Sequence, residues 1–484
     1  MEWISEHWYQ TLVVVVYLGI LAHHAWSGSR RTHNLSDYLV AGRGLGGLAI
    51  AFSYYATFVS TNSFVGHAGK SWDVGLIWYL KGVAFVIFCY ASWYLVAPRF
   101  VSLIRQYGSL TVADFLGSRY RSTALRRLSA AVIFVTSTFY LVAVYKGSSL
   151  ALSQFFGISY QAAAVIVFVV VTAYTLAGGF RSVVLTDTLQ GVFMVCGAIG
   201  LIVALLVKGD GLVHVIGEVR RQDPELVSWG GKMPFMTVLG LSIAGGLKFL
   251  VEPRQLSRYY GLKDQSALRV ARLVSPILLT VTFIAVLPIG TLAHAVIPPE
   301  AITDSDEVIP YLLGHTELLG PYVSPLFLMV LVSAAMSSLD SVLLVAASSV
   351  EHDLLTGWGD SARAILRTRI CVFVLSFVSL LLALFPFAGI VEITAFTGSI
   401  YGACFLPPIV VGLYWKHATS RAAIACVALG AFSVGGWFAA RRAGFTDWHE
   451  VYAGLVVGFV TYVGVTLFDR RGGDEQLSGG EHSG

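Results

Sequence analysis

Ser333-Ala-Ala-Met-Ser-Ser-Leu-Asp-Ser341 lies inside an apolar run from about Tyr322 to Val350. Hydroxyls and a carboxylate are costly in a bilayer, and such groups face a protein-lined or watery site rather than lipid. Ala334, Ser337, Ser338 and Ser341 are spaced i, i+3, i+4 and i+7, so they share one helical face. Oxygens crowded on one face are what a small hard cation such as Na⁺ needs to replace its water shell. An ion site inside a membrane helix points to transport.

Working outward, composition agrees. Hydrophobic residues make up 56% of the 484 and charged residues 12%, on the apolar side of a soluble average. Apolar segments recur almost end to end. They predict an all-α polytopic membrane protein, with a single transmembrane domain over 1–469 and a polar, Gly-rich, disordered cytoplasmic tail over 470–484. Thirteen candidate spans begin near Trp8, Leu45, Gly75, Leu128, Tyr160, Val183, Pro234, Leu273, Tyr322, Ala364, Gly389, Ala422 and Val451. With those spans, 22 of the 32 Lys and Arg fall on one side, among them Arg254 and Arg258, and seven on the other. The positive-inside rule then sets the N-terminus outside and the C-terminus inside. The start, Met1-Glu-Trp-Ile-Ser-Glu6, lacks a basic n-region, so the first span reads as a retained anchor. A net charge of +4 is too small to suggest a nucleic-acid partner. The five cysteines are scattered among spans and form neither a disulfide frame nor a metal set. No phosphate loop, nucleophile elbow or paired catalytic acids support an enzyme.

Two spans read as interrupted. The second is too polar between Ser53 and Ser63 for a lipid-facing helix, and the seventh carries Gly245-Gly246 near mid-depth together with Lys248. Paired interruptions at this separation suggest the broken helices of an inverted-repeat transporter, whose unwound carbonyls coordinate cations. Packing of glycines between helices is the competing reading.

Several motifs together resemble the sodium:solute symporter family, which includes bacterial proline, sialic acid and sugar symporters. They are Ser53-Tyr-Tyr-Ala-Thr-Phe-Val-Ser60 with Gly66, Ser109-Leu-Thr-Val-Ala-Asp114, and Ala177-Gly-Gly-Phe-Arg-Ser-Val-Val-Leu-Thr-Asp-Thr-Leu-Gln190. Arg254-Gln-Leu-Ser-Arg258 and Ala334-Ala-Met-Ser-Ser-Leu-Asp-Ser-Val-Leu-Leu344 with Asp353 complete the set. The resemblance implies a LeuT-like fold with inverted repeats over 44–207 and 234–415, and Na⁺-coupled symport by alternating access across the plasma membrane (the bacterial inner membrane). It implies a main sodium site on the carbonyls of Ala56, Val59 and Ala334 and the hydroxyls of Ser337 and Ser338. In some relatives a second sodium site is nearer the cytoplasm; here it would fall on Asp187, Asp340 and Ser341, with Ser337. The coupling ion would be one or two Na⁺. Asp187 pairing with Arg181 or another cytoplasmic arginine is the alternative.

The resemblance puts substrate contacts on Asn62, Ser63 and Tyr140. Lys248 stands where a sugar-transporting relative has a gating tyrosine, and Lys146 departs from the family pattern. Two lysines beside a cavity would complement a carboxylate through charge-assisted hydrogen bonds, which ranks small carboxylates first, amino acids second and sugars last. Lys146 snorkelling outward and Lys248 pairing with Glu252 or Asp73 are the bland readings. Tyr54 and Tyr55, beside the expected ion site, are candidate inner-gate residues. Two other functions stay open: a proton-linked carrier using an intramembrane lysine, and a solute-sensing transceptor. The partners expected are the lipid bilayer and a small anionic or zwitterionic solute, with no nucleic acid; a monomer would suffice.

Overall fold

A computed structural model of the chain describes residues 8–30, 35–320, 323–355, 361–386 and 388–479. Arg31, the span start at Tyr322 and residues 480–484 of the expected tail lie outside them. Among the described residues the structure is helical, with one isolated bridge between Leu45 and Leu262. In chain order, α1 spans Trp8–Ser29, α2 Gly47–Phe58, α3 His67–Val74, α4 Tyr79–Ala91, α5 Thr123–Phe156 and α6 Tyr160–Lys208. Next come α7 (Phe235–Val251), α8 (Pro253–Tyr260), α9 (Gln265–Val286) and α10 (Val323–Ser349). The last four are α11 (Ser361–Ala383), α12 (Ile390–Phe405), α13 (Ser420–Arg442) and α14 (Glu450–Gly479). Helix α14 thus runs into the stretch expected to be disordered.

Ten helices among the described residues are long and apolar enough to cross a membrane. Three shorter apolar helices, Val15–His24, Gly47–Phe58 and Tyr160–Leu176, fall at the first, second and fifth expected spans. In the span Ser324–Leu354, 89% of the most apolar window is buried, against 28% for Glu450–Asp469. The helix carrying Ser333–Ser341 therefore runs through the centre of the bundle, packed on α5 and α6.

The two interruptions are real, and one of them is displaced. Helix α2 ends at Phe58, Val59 is extended (φ −73°, ψ 106°), and the helix restarts as a π-turn over Asn62–Gly66 leading into α3. Gly245 and Gly246, by contrast, stay helical within α7, where their bare faces admit Phe85 and Phe88. The second break is at Glu252 (φ −68°, ψ 125°), because the residue before a proline is driven out of the α region and Pro253 then starts α8. Helix α6 is also interrupted, at Gly179 (φ 68°, ψ −179°), a conformation that suits glycine alone. That break falls between the expected spans that begin near Tyr160 and Val183.

Candidate functional site

The break after Phe58 removes partners from two carbonyls. The Ser60 amide turns to Ser63 Oγ (3.4 Å) instead of reaching back to Ala56. The exposed acceptors are met from α10 and α8. Ser337 Oγ donates to the Ala56 carbonyl at 2.9 Å and also lies 3.3 Å from the Ala334 carbonyl. Ser338 Oγ reaches the Thr57 carbonyl at 3.4 Å, where Arg254 Nη1 also donates at 2.6 Å. All five residues expected for the main ion site are fully buried. Four of them converge on the break: Ala56, Ala334, Ser337 and, through the neighbouring carbonyl, Ser338. Val59 forms the break itself. The cluster is formally neutral, and each carbonyl or hydroxyl oxygen has a second lone pair to offer.

The residues expected for a second ion site also meet, around a side chain that sequence reasoning had put elsewhere. Arg258 Nη2 donates to Asp187 Oδ2 at 2.8 Å and to Ser341 Oγ, and Nε donates to Ser53 Oγ at 2.9 Å. Ser53 Oγ in turn donates to Asp187 Oδ2 at 2.6 Å. Asp340 accepts from Tyr174 OH (2.8 Å) and Ser341 Oγ (3.2 Å). Asp187 and Arg258 are wholly buried. Arg254 and Arg258 were counted among cytoplasmic loop residues; both are interior, and Asp187 pairs with Arg258 rather than Arg181.

Between the two broken segments lies a small cavity of about 20 Å³, lined by Phe58, Asn62, Lys81, Tyr140, Lys248 and Arg254, among others. Lys248 Nζ and the Arg254 guanidinium face the Tyr140 ring, at 4.6 Å and 4.0 Å from its centroid. Such cation–π contacts favour Arg and Lys over desolvated aromatic faces. Lys81 Nζ sits over Trp78 at 4.7 Å. Arg254 pairs with Glu252 at 2.9 Å, leaving the Lys81 and Lys248 ammoniums without an acceptor among the described residues. Lys248 has room because position 398 is glycine: a Cβ there would press on the Ala244 carbonyl and come 3.2 Å from Lys248 Cε. Asn62 lines the cavity with Oδ1 unpaired. Ser63 is buried beside it, holding the Ser60 amide.

Lys146 does not belong to this cavity. It binds Asp306 at 2.7 Å and Asp304 at 3.4 Å, and Asp306 also accepts from the Ile390 amide at the start of α12 (3.1 Å). Here it anchors the 299–314 segment over the bundle, because a buried ammonium needs a carboxylate and this loop supplies two. Tyr54 and Tyr55 are buried, their hydroxyls bound to the Phe249 carbonyl (3.3 Å) and Thr282 Oγ1 (2.7 Å). Phe58, in the cavity wall, stacks on Phe249 with ring centroids 3.7 Å apart.

Sequence reasoning missed Lys81, whose helix offers no local sign of where it points. It also missed a tie built from motif residues. Arg126 Nε binds Asp353 at 2.7 Å with Asp114 at 3.7 Å, and Thr111 Oγ1 donates to Asp353 at 2.7 Å. Asp114, His352 and Asp353 cluster as metal ligands do, but the Arg126 guanidinium occupies the cluster. Partial burial of Asp114 opposes its charge, yet His352, the Leu110 amide and Arg126 outweigh that and hold its carboxyl below the usual value. A cavity of about 540 Å³ lies among mostly apolar side chains of α1, α5, α6 and α10 and is lined by none of the expected site residues.

Comparison with known proteins follows this geometry. The chain is 29% identical over 476 residues to a sodium/pantothenate symporter of Haemophilus influenzae, covering 95% of this chain and 96% of that one. An osmoregulated proline transporter of Bacillus subtilis is 25% identical, with the same coverage. A substrate-bound, outward-open Na⁺-coupled sialic acid symporter superposes with a TM-score of 0.79 at 17% identity, covering 95% of this chain and 97% of that one. A closed transporter of the nucleobase-cation-symport-1 family gives 0.58 at 15% identity, covering 91% and 96%. The fold is LeuT-like, and the chain is a transporter rather than an enzyme. Residues 38–430 match the sodium:solute symporter family, and the chain belongs to that family.

Proposed function

We propose that this protein carries a small organic carboxylate across the bacterial inner membrane together with sodium, by alternating access. The observation that carries the reading is the meeting of the α2 break with the hydroxyl face of α10, one turn from a cavity holding two unpaired ammoniums. Sodium would sit among the Ala56, Val59 and Ala334 carbonyls and the Ser337 and Ser338 hydroxyls. Bound there, it would hold the broken helix against α10. The carboxylate would accept from Lys248 and Lys81, with Arg254, Tyr140 and Asn62 shaping the pocket. Tyr54, Tyr55 and the Phe58–Phe249 stack would close its inner side.

The paired breaks support two inverted repeats over 44–207 and 234–415. Ten long and three shorter apolar helices support thirteen crossings. The basic-residue asymmetry supports an outside N-terminus and an inside C-terminus, even without the two interior arginines. One sodium with a monoanion makes the cycle electroneutral, sparing it the roughly 2.3 kcal/mol per charge that 100 mV would add or remove.

The test is thermal stability of the purified protein in Na⁺ and K⁺ at matched ionic strength, with carboxylates, amino acids and sugars added in turn. Sodium should stabilise, and a carboxylate should add to it. Lys248→Met should erase the carboxylate increment and keep the sodium one. Equal stability in Na⁺ and K⁺, with a pH-dependent solute response, would replace this reading by a proton-linked carrier. The unpaired Lys248 is what favours that second reading.

A further inference from the structure

We infer that Arg258 is a tethered cation standing in the second ion position, so that this chain binds a single sodium ion per transport cycle. The inference rests on the sodium-symport reading above and concerns only how many ions it uses.

Three side chains would have to hold a second sodium: Asp187, Asp340 and Ser341. The Arg258 guanidinium already contacts two of them, through Nη2 to Asp187 Oδ2 (2.8 Å) and to Ser341 Oγ. Its remaining nitrogens are also engaged, Nε with Ser53 Oγ (2.9 Å) and Nη1 with Ser257 Oγ (3.0 Å). Asp340, the third residue, is taken up by Tyr174 OH and Ser341 Oγ. Asp187 Oδ1 is the one carboxylate oxygen here without a partner.

A guanidinium stays protonated at any working pH. A sodium ion between Asp187 and Ser341 would therefore meet a like charge at a few ångström in a weakly screening interior, where repulsion is strong. Arg258 is fully buried, and a guanidinium that left Asp187 within this interior would be a charge without its partner. The site has the composition of a cation site and is occupied by a covalently attached cation. Being part of α8, that cation also travels with the second broken helix. It joins α2, α6 and α10 whatever the sodium concentration outside.

The experiment is an equilibrium count of radioactive sodium bound per chain in detergent, without solute, for wild type, Ser338→Ala and Arg258→Met. Wild type should bind one ion. Ser338→Ala, which weakens the neutral cage and leaves Arg258 in place, should bind none at the sodium concentration that just saturates wild type. Arg258→Met, which frees Asp187 and Ser341, should bind two. Two ions on wild type, one ion remaining on Ser338→Ala, or one ion on a folded Arg258→Met would each overturn the inference. If Arg258→Met does not fold, the first two counts still decide it. A wild type that binds no sodium defeats the symport reading itself, a result distinct from binding two.

Discussion

Two buried polar clusters flank the α2 break, and they handle their oxygens in opposite ways. Around Ala56, Ala334, Ser337 and Ser338 the oxygens themselves are neutral, and the one charge at their edge, Arg254 on the Thr57 carbonyl, is paired with Glu252. Around Asp187, Arg258, Ser341 and Asp340 an ion pair sits at the centre, and the groups largely spend their hydrogen-bonding capacity on one another. A dry neutral cage gains from admitting a cation. A buried ion pair that already has its counter-charge gains little, although removing one member is costly. Acidic residues beside hydroxyls thus do not by themselves make the stronger ion site; what matters is whether the protein has already supplied the charge.

The most damaging way to break this contrast is Asp187→Asn, which leaves Arg258 charged without its carboxylate. It should cost about 3–5 kcal/mol, seen as a lower melting temperature in potassium as well as sodium. Ser337→Ala attacks the other cluster. It should weaken sodium about ten- to a hundredfold, the worth of about 1–3 kcal/mol of lost ligation, while the melting temperature in potassium stays near wild type. Tyr174→Phe removes one hydrogen bond to Asp340 and should cost about 1–2 kcal/mol in both salts, read by chemical denaturation. The exposed Lys70–Asp73 pair sharpens the scale from below: with side chains 33% and 37% exposed, Lys70→Ala should change stability by less than about 1 kcal/mol. A sodium-selective loss from Asp187→Asn, or a salt-independent loss from Ser337→Ala, would erase the contrast.

Much of this architecture is legible in the sequence, and the failures share a cause. The hydroxyl face of α10 and the polar run at the α2 break are local patterns, readable from spacing and composition. The break in the seventh span is local too, but its signal is Pro253 acting on Glu252, which Gly245-Gly246 upstream outshone. Lys146 and Arg258 depend on partners far away in the chain. Arg258 finds Asp187 across 71 positions and Lys146 finds Asp306 across 160, separations at which no periodicity carries information. Counting arginines by side also presumes that arginines lie outside the membrane, so it misplaces the two interior ones, Arg254 and Arg258.

Arg254 has a consequence that reaches past binding. It sits one residue beyond Pro253, pairs with Glu252 at one break, and donates to the Thr57 carbonyl at the other. The two joints of the molecule are therefore linked through one side chain, like two hinges on a common rod. While that bond holds, a change of angle at the first break is passed to the second. The pair then has one mechanical degree of freedom where two separate breaks would have two. A pair of that kind has few shapes in which one joint has turned and the other has not.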